Sequence, residues 1–205
     1  KATAVGLSAK ASGESSFAGG AAANASGSNS IAIGGAKDGT PADSKSAAKA
    51  AGAQAIAVGY KSKAEGANTI AQGNNATATG AQAISVGLDS KAEANNSIAQ
   101  GNAANAKDVS SIAHGTSATA HKESDIAIGT SSVANGTRKS QTSCEKKSSL
   151  PGGATCEEGT AIAVGKNSNA TGYSAISVGK DSSASFDHAV AIGDSANATH
   201  IHCTK

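Results

Sequence analysis

Few side chains in this sequence are placed to do chemistry, and most of those few are badly spaced for it. Cys144 and Cys156 bracket a turn-forming run, Leu150-Pro151-Gly152-Gly153, with no C-x-x-C pair and no histidine at ligand spacing. A zinc site is therefore not expected there. A disulfide, two free thiols or a metal pair are the readings that remain. The same stretch carries Arg138, Lys139, Lys146 and Lys147 beside Glu145, Glu157 and Glu158. A solvated surface is the plain reading, and a basic contact patch for an acidic partner or glycan is the sharper one. His200, His202 and Cys203 could ligate a metal, although a frayed terminus is the simpler expectation; a partner for Cys203 is expected beyond Lys205.

Phosphate and nucleophile chemistry fare no better. Val164-Gly165-Lys166 and Val178-Gly179-Lys180 look like pieces of a phosphate loop, but G-x-x-x-x-G-K is absent. Asn75-Ala76-Thr77 and Asn169-Ala170-Thr171 match the glycosylation acceptor, yet they recur with a period that turn chemistry explains first. No Ser, His and Asp occur together beyond what a repetitive sequence generates by chance. The expectation is no catalytic residue, no cofactor and no metal.

The composition bounds what could position any site. Of 205 residues only 28 carry a large apolar side chain, while alanine supplies 47. A layered core of Leu, Met and Trp is thereby excluded. Disorder would also call for high net charge, whereas the formal charge is +2, a balance that points to neither nucleic acid nor a membrane surface. No run of about 18 apolar residues is present, and no basic segment followed by an apolar one opens the chain.

An internal repeat takes the place of a conventional core. A short strand ending in glycine recurs twelve times, from Thr3-Ala4-Val5-Gly6 through Ile56-Ala57-Val58-Gly59 to Val190-Ala191-Ile192-Gly193. Nine of the eleven intervals are 14 residues; the other two hold insertions of 11 and 22, over 35–45 and 137–158. Register survives both, as it does when loops are grafted on a solenoid.

With the strand-ending glycine as position 0, positions −2, +3 and +5 are Ala or Ser almost throughout, and position −3 is Ile in nine copies. Alternating small and large residues mark a strand whose faces meet different neighbours. A second short strand is expected at +3 to +5, with its middle residue in water. Glycine at +7 is expected to supply the bend through a positive φ. Two strands and two turns per coil, stacked at about 4.8 Å, make a flat all-β rod roughly 55 Å long from residues 1–205.

If the small columns point inward, a ladder faces outward: Ile31, Ile56, Ile70, Ile84, Ile98, Ile112, Ile126, Ile162, Ile176 and Val190, with Gln72, Gln100 and His114 in the column beside it. So long an apolar strip needs a cover, and a homo-oligomer with equivalent faces on a symmetry axis supplies one. The opposite assignment, Ile and Val inside, stays open on sequence alone. Gln72, Gln100 and His114 speak against it, being costly unpaired inside a narrow coil. At an axis three copies of His114 could hold an ion, although a hydrogen-bonded structural histidine is the plainer reading.

The period-14 pattern, plain in Ala55-Ile56-Ala57-Val58-Gly59 through Ser62, Ala64 and Gly66, resembles the YadA-like head repeat of trimeric autotransporter adhesins. That resemblance implies a left-handed parallel β-roll, a parallel homotrimer, and display at the cell surface of a Gram-negative bacterium, anchored in the outer membrane. The implied partners are host matrix proteins such as collagen, fibronectin or laminin, or cell-surface receptors and glycans. The secreted setting it implies favours a Cys144–Cys156 disulfide stiffening the long insertion. The cysteines and the two long loops depart from the usual pattern of such heads.

Two other function classes compete. Left-handed β-helix acyltransferases use hexapeptide repeats, and 14 is not a multiple of six. A flat ice-binding solenoid needs a regular outward Thr column, but position +4 mixes Lys, Asn and Thr. A spacer rod displaying other domains remains the alternative to an adhesive head.

Overall fold

The computed structural model describes residues 1–36, 45–137 and 159–198. Each of twelve coils gives one strand to each of two 12-stranded sheets. The first sheet runs over the odd-numbered strands, from β1 (Thr3–Val5) to β23 (Val190–Ile192), and the second over the even-numbered ones, from β2 (Lys10–Ala11) to β24 (Asn197–Ala198). All pairs are parallel and, apart from a shift at the end of the strand before the long insertion, in register, so each column of the repeat becomes a straight row. Ile70, Ile84, Ile98, Ile112 and Ile126 are successive partners along one such row. The insertions do not interrupt it, for Ile31 pairs with Ile56 across the first and Ile126 with Ile162 across the second.

The interior is lined by small side chains from both sheets. Ala57, Ala71, Ser85 and Ala99 at −2 and Ala50, Ala64, Ala78 and Ala92 at +5 are fully buried. So are Ser30, Thr69, Ala83 and Ser97 at −4. Sheets separated by methyl and hydroxymethyl groups leave no room for isoleucine, and the Ile and Val columns therefore point outward. The assignment left open by the sequence is settled in favour of small residues inside. Such a core gives only about 0.8 kcal/mol per buried methyl-sized group, so each coil depends on its neighbours for stability.

Most buried hydroxyls among the described residues are satisfied locally, Ser168 Oγ being the exception. Ser16, Ser30, Thr69 and Ser97 each donate to the carbonyl three residues earlier, at 2.6–2.7 Å. Ser85 and Ser90 meet across the interior at 2.7 Å, as do Ser177 and Ser182 at 2.8 Å. Serine is accordingly as acceptable inside as alanine, provided its oxygen finds a turn carbonyl.

Glycine at +7 does something other than the expected bend. The positive φ values near 55° fall two residues after every strand-ending glycine except Gly34, as at Ser8, Asn75 and Asp89, and again at Asn29, Asn68 and Asn96. Ser, Asn and Asp tolerate that conformation better than most residues. The +7 glycines are needed for space: a Cβ on Gly52 would lie 1.8 Å from the carbonyl oxygen of Gly66 in the next coil, and one on Gly66 would lie 2.3 Å from that of Gly80. The second strand is mostly shorter than expected, covering +4 and +5; Lys49, Lys63 and Lys91 are exposed at +4, whereas Asn24, Thr77, Asn105 and Thr119 are half-buried there.

Candidate functional site

The outward face of the odd-numbered sheet is a flat apolar strip. Along position −3, Ile56, Ile70, Ile84, Ile98, Ile112, Ile126, Ile162 and Ile176 are half-buried by their own neighbours, as is Ile31, while Val190 near the end of the row is exposed. Position −1 adds Val58, Val86, Val164 and Val178, together with the more exposed Ile33, Ile128 and Ile192. Gln72, Gln100 and His114 lie in that same row, all exposed, with Gln100 paired directly to His114. The structure thus brings together every ladder residue expected from the sequence. A β-branched row at strand spacing presents edge-on methyls that a matching face can interlock with. The glutamines and the histidine supply polar groups that a symmetric partner can meet in kind.

The second region is the base of the long insertion. Strand β18 (Val133–Thr137) runs to Thr137 and pairs with β20 (Asn169–Gly172), with a register shift between Ala134 and Thr137. The two roots meet where the Gly159 amide donates to the Gly136 carbonyl at 3.1 Å. Beneath them sits Asp125, fully buried in the otherwise small −4 column. Its Oδ1 accepts from the Ala161 amide at 2.7 Å; its Oδ2 accepts from the Lys122 amide at 2.9 Å and from the Gly136 amide at 3.2 Å. One carboxylate therefore holds the chain on both sides of the insertion. Burial pushes the Asp125 carboxyl above its ordinary range, against backbone N–H bonds from Ala161, Gly136, Lys122 and His121 that oppose the rise.

Sequence reasoning did not single out Asp125. The signal was present, because an acid in a column of Ala, Ser and Thr needs a reason to be there. Cys144, Cys156, Arg138, Lys139, Lys146 and Lys147 lie outside the described residues, as do His200, His202 and Cys203. Among the described residues no group of three or more His, Cys, Asp or Glu side chains is arranged to hold a metal ion. No helix there is long and apolar enough to cross a membrane.

Comparison with known proteins accords with this geometry. A family model described as the YadA head domain repeat matches residues 1–23, 20–36, 46–62, 50–76, 64–90, 92–118, 120–138, 159–182 and 170–196. Among solved structures, the collagen-binding domain of the Yersinia adhesin YadA is similar, with a TM-score of 0.51 and 21% identity, covering 73% of this chain and 80% of that one. At that identity the likeness concerns the fold. No curated protein matches the chain in sequence.

Proposed function

The chain belongs to the family of the YadA head domain repeat, and from that premise we propose that it is the head of a trimeric surface adhesin, acting by attachment and not by catalysis. Three copies associate in parallel through the Ile and Val ladder. The assembly is held on the outer membrane of a Gram-negative bacterium by a C-terminal anchor and binds host matrix proteins such as collagen, fibronectin or laminin through its outer surfaces and insertions. The observation that carries this reading is the outward apolar strip, unbroken from Ile31 to Val190 across both insertions. Burying such a strip contributes roughly 25 cal/mol per Å² of apolar surface removed from water, and a symmetric parallel trimer removes all three copies together. The YadA domain supplies the collagen precedent.

Within this reading the 138–158 segment is a binding element. Arg138, Lys139, Lys146 and Lys147 are its contact residues, and a Cys144–Cys156 disulfide restrains it. Thiol titration of the denatured, unreduced protein should count no more than one free thiol, that of Cys203.

The functional test compares the full chain with a variant joining Thr137 directly to Gly159. This junction is feasible because the two roots are already hydrogen-bonded. Both proteins are assayed on collagen, fibronectin and laminin surfaces. The full chain should bind at least one of them and the deletion should bind less. Equal binding would move the contact to the repetitive outer face, and binding by neither would leave a spacer rod. Sedimentation of the full chain should give three times the monomer mass; a stable folded monomer sinks the assembly.

A further inference from the structure

We propose that the outward face of the even-numbered sheet carries a second, separate binding site, a groove for a sulfated linear polysaccharide of the glycosaminoglycan type. The groove is a cavity of about 580 Å³ whose lining includes Ser8, Lys10, Asn24, Lys45, Lys49 and Lys63. Lys10, Asn24, Lys49 and Lys63 are consecutive register partners in one row. At about 4.8 Å per step that row spans roughly 14 Å, the length of a few sugar residues. Lys45 joins them from the end of the short insertion.

Charge and packing together favour an anionic ligand. Lys49 and Lys63 are direct cross-strand neighbours, a like-charge arrangement that costs stability. The carboxylate lining the groove belongs to Glu65, which lies 3.7 Å from Lys49, with both side chains nearly half exposed. Such a contact compensates little. Four ammonium groups against one carboxylate in a single depression make a site for spaced anionic groups.

The remaining lining separates a sulfated sugar from a nucleic acid. No aromatic ring lines the groove, which Ala22, Ala47 and the lysine stems complete, so bases have nothing to stack on.

This site is independent of the matrix-binding reading. The apolar ladder lies on the opposite outward face of the two-sheet roll, which leaves the groove open whether or not three chains associate.

The test measures binding of the full chain to immobilised heparin, with desulfated heparin and single-stranded DNA of matched length as competitors. A groove variant combines Lys10→Thr, Lys49→Thr and Lys63→Thr. Thr77 and Thr119 already occupy this column, so the fold should accept the change. A control variant removes the same charge elsewhere through Lys91→Thr, Lys166→Ser and Lys180→Ser. Heparin binding should fall at least tenfold in the groove variant and less than threefold in the control, with a shallower salt dependence in the former. Heparin should compete, and desulfated heparin should not. Equal losses in both variants overturn the site, as does competition by desulfated heparin. DNA competing as well as heparin assigns the groove to nucleic acid and overturns the polysaccharide. The competition arm uses only the unmodified protein and so decides the matter even if a variant is unstable.

Discussion

The two outward faces of the roll share one backbone geometry and one interior, yet their side chains follow opposite rules. On the odd-numbered sheet, position −3 is Ile from Ile31 to Ile176 without exception. On the even-numbered sheet, position +4 runs through Lys10, Asn24, Lys49, Lys63, Thr77 and Lys91 with no such constancy. Inside, both sheets offer Ala or Ser because the gap between them is narrow. A column is uniform where every copy must meet the same surface, and it varies where copies meet water or a ligand that touches only some coils. Uniformity alone thus separates what packs from what is free to specialise.

The interior should be the least forgiving region. Ala99 sits between Ser85 and Ala113 in its row, and Ala99→Leu adds three carbons where the facing sheet cannot retreat without breaking ladders on both sides. Overpacking costs about 1–3 kcal/mol in ordinary cores, and the upper end or complete unfolding is expected here. Circular dichroism through a thermal melt reads the effect, and a midpoint within a few degrees of the unmodified protein would contradict so narrow an interior.

The ladder should yield a different phenotype, lost association with the coil retained. Replacing Ile84, Ile98 and Ile112 together with Asp puts three charges per chain into the strip. The strand signal should survive in dilute solution while sedimentation shows monomer. A trimer that tolerates all three would place the interface elsewhere.

Much of this architecture was legible in the sequence, because a solenoid writes its contacts at a fixed spacing. Ala57, Ala71 and Ala99 disclose an interior row, and Ile56, Ile70 and Ile84 an exterior one, without knowledge of what lies between. Reasoning failed where the cause lay in a neighbouring coil and not along the chain. The +7 glycines were read for their φ, but it is the Gly80 carbonyl that excludes a side chain from Gly66. Lys45 and Lys63 share a groove only because the short insertion returns beside the second sheet, which spacing does not encode. Asp125 bonds to Ala161, 36 residues away and across an insertion, and no periodic pattern connects the two.

Asp125 also breaks the rule of small interiors, so its replacement measures what an interior exception contributes. Asp125→Asn keeps the volume but puts an NH₂ group against backbone donors, and an unsatisfied buried group costs about 1–3 kcal/mol. The thermal midpoint should fall accordingly. The pH dependence carries a sign. With its folded value raised above the ordinary 3.8, the native state takes up a proton before the unfolded chain does. Asp125 therefore adds stability as pH falls through its folded value, a gain complete near 3.8, and the Asn variant should lose that gain.

The smallest effect belongs to the polar edge of the second face, where Lys107 and His121 occupy the same column one coil apart. Lys107 Nζ lies 3.4 Å from His121 Nδ1, a contact that suits a neutral ring accepting from an ammonium and repels a protonated one. Partial burial first, then Lys107 and Lys122, hold the His121 imidazole below its ordinary 6.5. The unfolded chain therefore takes up this proton first, and stability present above pH 6.5 declines as pH falls from there toward the folded value. His121→Asn, which copies the residue type of Asn135 in the next coil, should make that decline shallower. Lys107→Thr should leave the fold intact and move the imidazole titration, followed by NMR, upward toward 6.5. An unmoved midpoint would mean that burial alone sets it, and that the variable face carries less electrostatic cost than its stacked cations imply.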